Sequence, residues 1–227
     1  MIVSIHQPQY LPWLGYFDKI ARADVFVLLD TVQYRKNEWQ NRNRIKTDRG
    51  PQWLTVPVTY RFPQLICEVG VNNQERWQHR QHQALVTNYR KAPHWGRLEG
   101  FFDEVFSRSW ETLSELNIHV VKRLTAILGI QTPIHVASEL GLFPEDPDER
   151  LIALTKHFGA GTYLAGNGGH GYMDMEKYRQ AGVEAIFQDY QHPRYNQLFG
   201  AFESNMSVID LIFNHGEESL SILRGIS

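Results

Sequence analysis

The sequence predicts an α/β fold built on a mainly parallel sheet flanked by helices, Rossmann-like or nucleotidyltransferase-like, with a helical insertion around 74–128. Three observations carry this. Residues 2–6 are a short apolar run broken by Pro8 and Pro12, a helical pattern with Leu14, Phe17, Ile20 and Ala21 follows, and Val25 to Asp30 closes with a continuous apolar run. Strand, helix and buried strand in that order make a βαβ unit with a parallel pair. Beyond residue 133 the alternation resumes: strand 133–137, helix 147–158, strand 162–165, helix 174–181, strand 183–189 and a last helix starting near Ser207. Between the two halves the period turns helical, with Trp77, Ala84, Leu85 and Tyr89 on one stripe and Leu113, Leu116, Val120, Leu124, Ile127 and Leu128 on another.

The remaining segments fit around this frame. Residues 31–50 are polar, basic and aromatic and read as a loop, while 53–58 and 65–71 alternate like strands. Pro57 makes the first of these an edge strand. Ser207, with Asp210 three positions on, reads as a helix N-cap. No repeat, low-complexity tract or linker interrupts the chain, so residues 1–227 read as one domain.

Composition narrows the function. Lys+Arg 23 against Asp+Glu 25 leaves a net charge of -2, which gives no global field toward DNA or anionic lipid; any bound anion must be held locally. The one cysteine, Cys67, cannot form an internal disulfide and sits in an apolar run as a buried, inert thiol. With an N-terminus lacking a basic flank and a long apolar core, this predicts a cytoplasmic protein. No apolar stretch approaches the roughly 20 residues needed for a membrane helix, so no membrane insertion is expected. The ten histidines show no HExxH or similar spacing, so no metal site is expected either.

Ligands of open parallel sheets sit beyond the carboxyl ends of the strands. That rule sets His6-Gln7-Pro8-Gln9-Tyr10 beside Asp30-Thr31-Val32-Gln33-Tyr34. His6 is the candidate general base near neutral pH, and Asp30 would orient its imidazole or bind a substrate amine. Gln7, Tyr10, Gln33, Tyr34 and Trp13, the last at the start of the first helix, are candidate ligand contacts. The segment 33–46 interleaves Arg35, Lys36, Arg42 and Arg44 with Asn41 and Asn43; arginine forks suit phosphate or carboxylate, and asparagine suits sugar hydroxyls or amides. Later, Gly166-Asn167-Gly168-Gly169-His170 follows a strand and would let a ligand approach the backbone closely. Tyr195 and Gln197, after the last strand, complete the candidate binding set.

Four segments together resemble the WbqC-like protein family: His6-Gln-Pro-Gln-Tyr-Leu-Pro-Trp-Leu-Gly-Tyr-Phe-Asp-Lys19, the stretch from Gln33 to Arg44, Tyr163 to Asp174, and Tyr195-Asn-Gln with Phe202 and Ser207-Val-Ile-Asp210. The resemblance implies a place in the biosynthesis of O-antigen or other bacterial surface polysaccharide, and attachment of glycine or a similar acyl group to an amino sugar. The layout around Pro8, Tyr10, Pro12 and Trp13 also resembles the start of HIGH-type nucleotidyltransferases, with Tyr10 and Trp13 where that family has histidines. This argues against adenylyl transfer and leaves nucleotide binding open.

The expected function is therefore an amide-forming acyl transferase or ligase acting on a nucleotide-linked amino sugar. The amine would lose its proton to His6, the basic segment would hold diphosphate, and backbone N–H groups of the 166–171 loop would stabilise an oxyanion. The acyl donor would be activated by ATP or arrive as an aminoacyl ester, with tRNA a partner only in that role. The competing expectations are a non-catalytic nucleotide- or glycan-binding protein and a degenerate nucleotidyltransferase.

Overall fold

The computed structural model describes residues 1–226. Its centre is a five-stranded, wholly parallel sheet of β1 (Ile2–His6), β2 (Val25–Leu28), β7 (Ile134–Val136), β8 (Thr162–Ala165) and β9 (Glu184–Phe187), in the order β7-β2-β1-β8-β9. The chain runs outward from β1 through β2 to β7, then returns to the other side of β1 for β8 and β9. The connection therefore reverses between β1 and β8. In open α/β sheets that reversal opens a crevice beyond the strand ends.

Helices cover both faces, as the short continuous apolar strands require. Val3, Ile5, Val25, Val27 and Leu29 point to one face and pack with Ile152 and Leu154 of α6 (Pro147–His157) and Tyr178 of α7 (Met175–Gln180). Phe26 and Leu28 point to the other face, against α1 (Leu14–Arg22) and a larger core that includes α2 (Trp77–Tyr89), α3 (Gly96–Phe106), α4 (Leu113–Ile127) and α8 (Val208–His215). The helical insertion expected at 74–128 is α2 to α4. Ser207 caps α8, its side chain accepting from Ile209 N–H at 3.4 Å. Gly216, at φ +55, ends that helix before the short α9 (Ser219–Leu223).

Two segments differ from the sequence reading. Residues 42–55, expected to be loop through residue 50, form an antiparallel hairpin, β3 (Arg42–Thr47) with β4 (Gly50–Thr55), separate from the main sheet. Its inward positions are Asn43, Ile45 and Thr47, so the strand period is carried largely by polar residues and leaves little hydrophobic signal. Residues 65–71, expected to be a strand, form a 3₁₀ turn at Ile66–Glu68 and then the short β6 (Gly70–Val71), which pairs with β5 (Val58–Thr59). There the backbone serves the end of β2: Ile66 N–H donates to Val32 O at 2.9 Å and Cys67 N–H to Asp30 O at 3.0 Å. Cys67 is half-buried, and burial with the nearby carboxylates of Asp30 and Glu68 raises its pKa, which keeps the thiol protonated.

Candidate active site at the carboxyl edge of the sheet

The opening motif is held from three sides. After β1, Gln7 accepts a side-chain bond from Gln40 at 2.6 Å, and Tyr10 N–H donates to Trp39 O at 3.2 Å. Leu11, at φ +45, turns its carbonyl to Asn43 Nδ2 at 2.7 Å. Pro12 O accepts from Val208 N–H at 2.8 Å, and Ser207 N–H donates to Arg44 O at 2.9 Å. The β3–β4 hairpin and the start of α8 thus clamp residues 7–13. The basic segment and the opening motif, separate in sequence, are packed against each other.

His6 follows the period of β1. Val3 and Ile5 enter one core, so His6 faces α1, where its ring meets Tyr16 edge-on at 4.9 Å and its Nδ1 lies 3.1 Å from Gln7 O. Beside it is Lys19, only 3% exposed, whose ammonium donates to Ile5 O at 3.3 Å and has no carboxylate partner among the described residues. Burial lowers the Lys19 pKa to about 7. Burial, then the positive field of Lys19, lowers that of His6 to about 3. Burial thus favours the uncharged form of both groups, the imidazole of His6 and the amine of Lys19.

Asp30 does not orient His6. It is 1% exposed, and its carboxylate accepts from Ser114 Oγ at 3.0 Å, Ser138 N–H at 3.0 Å and Ser138 Oγ at 2.8 Å. The two strands are adjacent and parallel as expected, with His6 opposite Leu28. Asp30, two residues past that register, turns toward α4 and the residues after β7, on the far side of β2 from the β1–β8 crevice.

Several expected ligand contacts turn inward instead. Tyr10 is fully buried with its hydroxyl on Gln81 Oε1 at 2.7 Å. Tyr34 packs edge-on against Tyr60 at 4.9 Å, its pKa pushed up to about 12 by burial first. Asn41 donates to Val56 O and Asn43 to Leu11 O, both as buried braces of the hairpin. Tyr195 and Gln197 donate to the buried carboxylate of Asp210, at 3.0 and 2.8 Å, joined there by Tyr89 at 2.7 Å. A buried carboxylate needs such donors.

What stays accessible forms a rim. Gln33, Arg35 and Lys36 are exposed, and Arg42 and Arg44 are half-buried with no acidic partner among the described residues. Arg42 lies 4.3 Å over the Trp53 ring, and Arg44 lies 5.6 Å from Trp53 and 6.0 Å from Trp39. Both tryptophans are more than one-third exposed. Trp13 is half-buried, meets Tyr190 edge-on at 5.5 Å and stacks over His192 at 6.3 Å. Its indole covers Gly15, where a methyl would collide with the ring. Past β8, Gly166–His170 forms a tight turn in which Asn167, Gly168 and His170 are exposed and a methyl on Gly166 or Gly168 would meet only open space. Gly169 differs, since a methyl there would strike Met173, and His170 stacks on Phe187 at 3.5 Å.

Sequence reasoning missed Lys19, Gln40 and the exposed tryptophan pair. Lys19 carried a usable signal: it stands three residues after Tyr16 and one before Ile20, on a stripe where a charge is costly. No group of three or more His, Cys, Asp or Glu side chains among the described residues is placed to hold a metal ion. No helix of the described residues is long and apolar enough to cross a membrane.

Comparison with known proteins agrees with the resemblance of the motifs. An uncharacterized protein of Mycobacterium tuberculosis (strain ATCC 25618 / H37Rv), Rv1507c, is 36% identical over 226 residues, covering 98% of this chain and 97% of its own. No solved structure matches the chain. The sequence model of the WbqC-like protein family matches residues 7–222, from the residue after His6 to the last helix, and the chain belongs to that family.

Proposed function

We propose that the protein is an amide-forming acyl transferase or ligase acting on the amino group of a nucleotide-linked amino sugar in bacterial surface polysaccharide biosynthesis. The observation that carries this reading is the clamp between the hairpin and the opening motif. It sets Arg42 and Arg44, which have no acidic partner, and the exposed rings of Trp39 and Trp53 next to the end of β1. Guanidinium forks suit a diphosphate, and an exposed indole suits a base or sugar face. The open side of Gly166 and Gly168 leaves room for a ligand against the backbone on the other side of the crevice.

In the reaction, the substrate nitrogen attacks the acyl carbon, the C–N bond forms, the bond to the donor's leaving group breaks, and one proton leaves nitrogen. His6, uncharged, accepts the amine's hydrogen bond. Lys19, with its pKa near 7, takes over the role of proton acceptor first expected of His6. A free acid as donor would require ATP to activate it, whereas an aminoacyl ester would not.

The test is incubation of purified protein with amino-sugar nucleotides and glycine plus ATP, or glycyl-tRNA, with mass spectrometry for the amide. Arg42→Ala should weaken nucleotide-sugar binding by about 1.5–3 kcal/mol, the worth of a charge-assisted hydrogen bond. Binding without product under either donor would leave a nucleotide-sugar-binding protein of the same pathway. Unchanged affinity in Arg42→Ala would reduce the hairpin to solvated surface.

A further inference from the structure

Asp30 lines a second cleft, of about 460 Å³, beyond the carboxyl ends of β2 and β7. That is within the usual range for a small-molecule site. Like Asp210, Asp30 is held by three neutral donors, here two hydroxyls and one backbone N–H, with no Lys, Arg or His paired to it among the described residues; unlike Asp210, it lines an open cleft. The donors fix its orientation without neutralising it. Cations are present in the same cleft but are placed elsewhere. Arg108 lies 3.7 Å over Trp110 and reaches Glu115 at 3.4 Å, and Lys122 is exposed with no carboxylate partner. His119 also lines the cleft and lies 3.5 Å from Glu104, which does not; Glu115 and Glu139 line it as well.

We infer that this cleft binds a small molecule with a primary ammonium at one end and an anion at the other, the ammonium on Asp30 and the anion toward Lys122 and Arg108. An ammonium supplies the countercharge that Asp30 lacks. The absence of a three-ligand metal grouping among the described residues favours an organic cation. The unpaired Lys122 lines the same cleft and would receive the anionic end of such a ligand. A free amino acid and an amino-sugar phosphate share this chemistry. The assignment rests on the cleft alone and does not depend on the reaction proposed above.

The experiment is calorimetric titration of the full chain, with a parallel thermal melt, using glycine, alanine and glucosamine 6-phosphate, each beside its N-acetylated form. At least one ammonium-bearing probe should bind, and its acetylated form at least tenfold more weakly. Saturation by the amino acids alone names a free amino acid as ligand, and saturation by the sugar phosphate alone names an aminated sugar. Asp30→Asn should weaken the bound probe at least tenfold and Lys122→Met severalfold, with circular dichroism unchanged. Should Asp30→Asn fail to fold, the comparison of each probe with its acetylated form on the native protein, together with the exposed Lys122→Met variant, decides the matter. Equal binding of free and acetylated probes, or no binding by any of them, would overturn the assignment.

Discussion

Gln7 and Gln40, thirty-three residues apart, meet side chain to side chain at 2.6 Å, and this bond joins the end of β1 to the basic hairpin. Gln40 also accepts from Arg35 N–H at 2.9 Å, and its carbonyl accepts from Asn117 Nδ2 at 2.7 Å. It is the junction of the opening motif, the basic segment and α4. Gln40→Ala should cost about 1–2 kcal/mol, because it leaves the part-buried Gln7 side chain and Arg35 N–H without their bonds. Nucleotide-sugar affinity should fall more than the melting temperature alone implies, since the hairpin loses its register on β1. Denaturant titration beside calorimetry checks both; an affinity equal to wild type would show that the hairpin is positioned without this bond.

Lys19→Met tests the buried amine. A lysine with a pKa near 7 in the fold and near 10.5 unfolded makes the unfolded chain bind more protons between those values, so native stability rises with pH across that window. The variant removes this dependence. Its stability should be equal or higher at pH 7, its profile from pH 7 to 10 should be flatter, and amide formation should slow by about 10²–10⁴. Normal turnover would remove Lys19 from the chemistry even if the stability profile flattens as described.

His6 works in the opposite range of pH. Its fold value near 3 lies below the unfolded value of 6.5, so protons favour the unfolded chain and stability falls as pH drops from 6.5 toward 3. One such proton is worth up to about 1.4 kcal/mol per pH unit. His6→Gln should therefore show a shallower loss of stability between pH 6.5 and 4.5 than wild type, measured by urea unfolding. Identical slopes would mean that His6 is not held neutral.

Tyr195 separates scaffold from site. Burial raises the pKa of Asp210, and its three donors oppose that shift. Tyr195→Phe removes one of them and should cost about 1–3 kcal/mol of stability while leaving nucleotide-sugar affinity within twofold. A large affinity loss at unchanged stability would return Tyr195 to the binding surface.

The sequence by itself determined the elements and much of the chemistry available to them. Continuous apolar strands at 2–6 and 25–30 with a helix between allow little but a parallel pair, and the helical stripes from 77 to 128 must pack somewhere. It also marked the basic segment and the glycine turn as places where a ligand fits. Only the tertiary structure decided strand order, because β8 returns beside β1 through contacts more than 150 residues apart, Ser4 to Leu164 among them. That return puts His6 at a crevice shared with Gly166 and sends Asp30 to a different cleft. The side-chain roles were likewise decided in three dimensions. Tyr10, Asn43 and Tyr195 are polar in the sequence just as Arg42 is, but burial gives each of them a partner inside the protein and leaves Arg42 without an acidic one. A residue's chemistry is local, whereas its freedom to meet a ligand depends on which distant groups have already satisfied it.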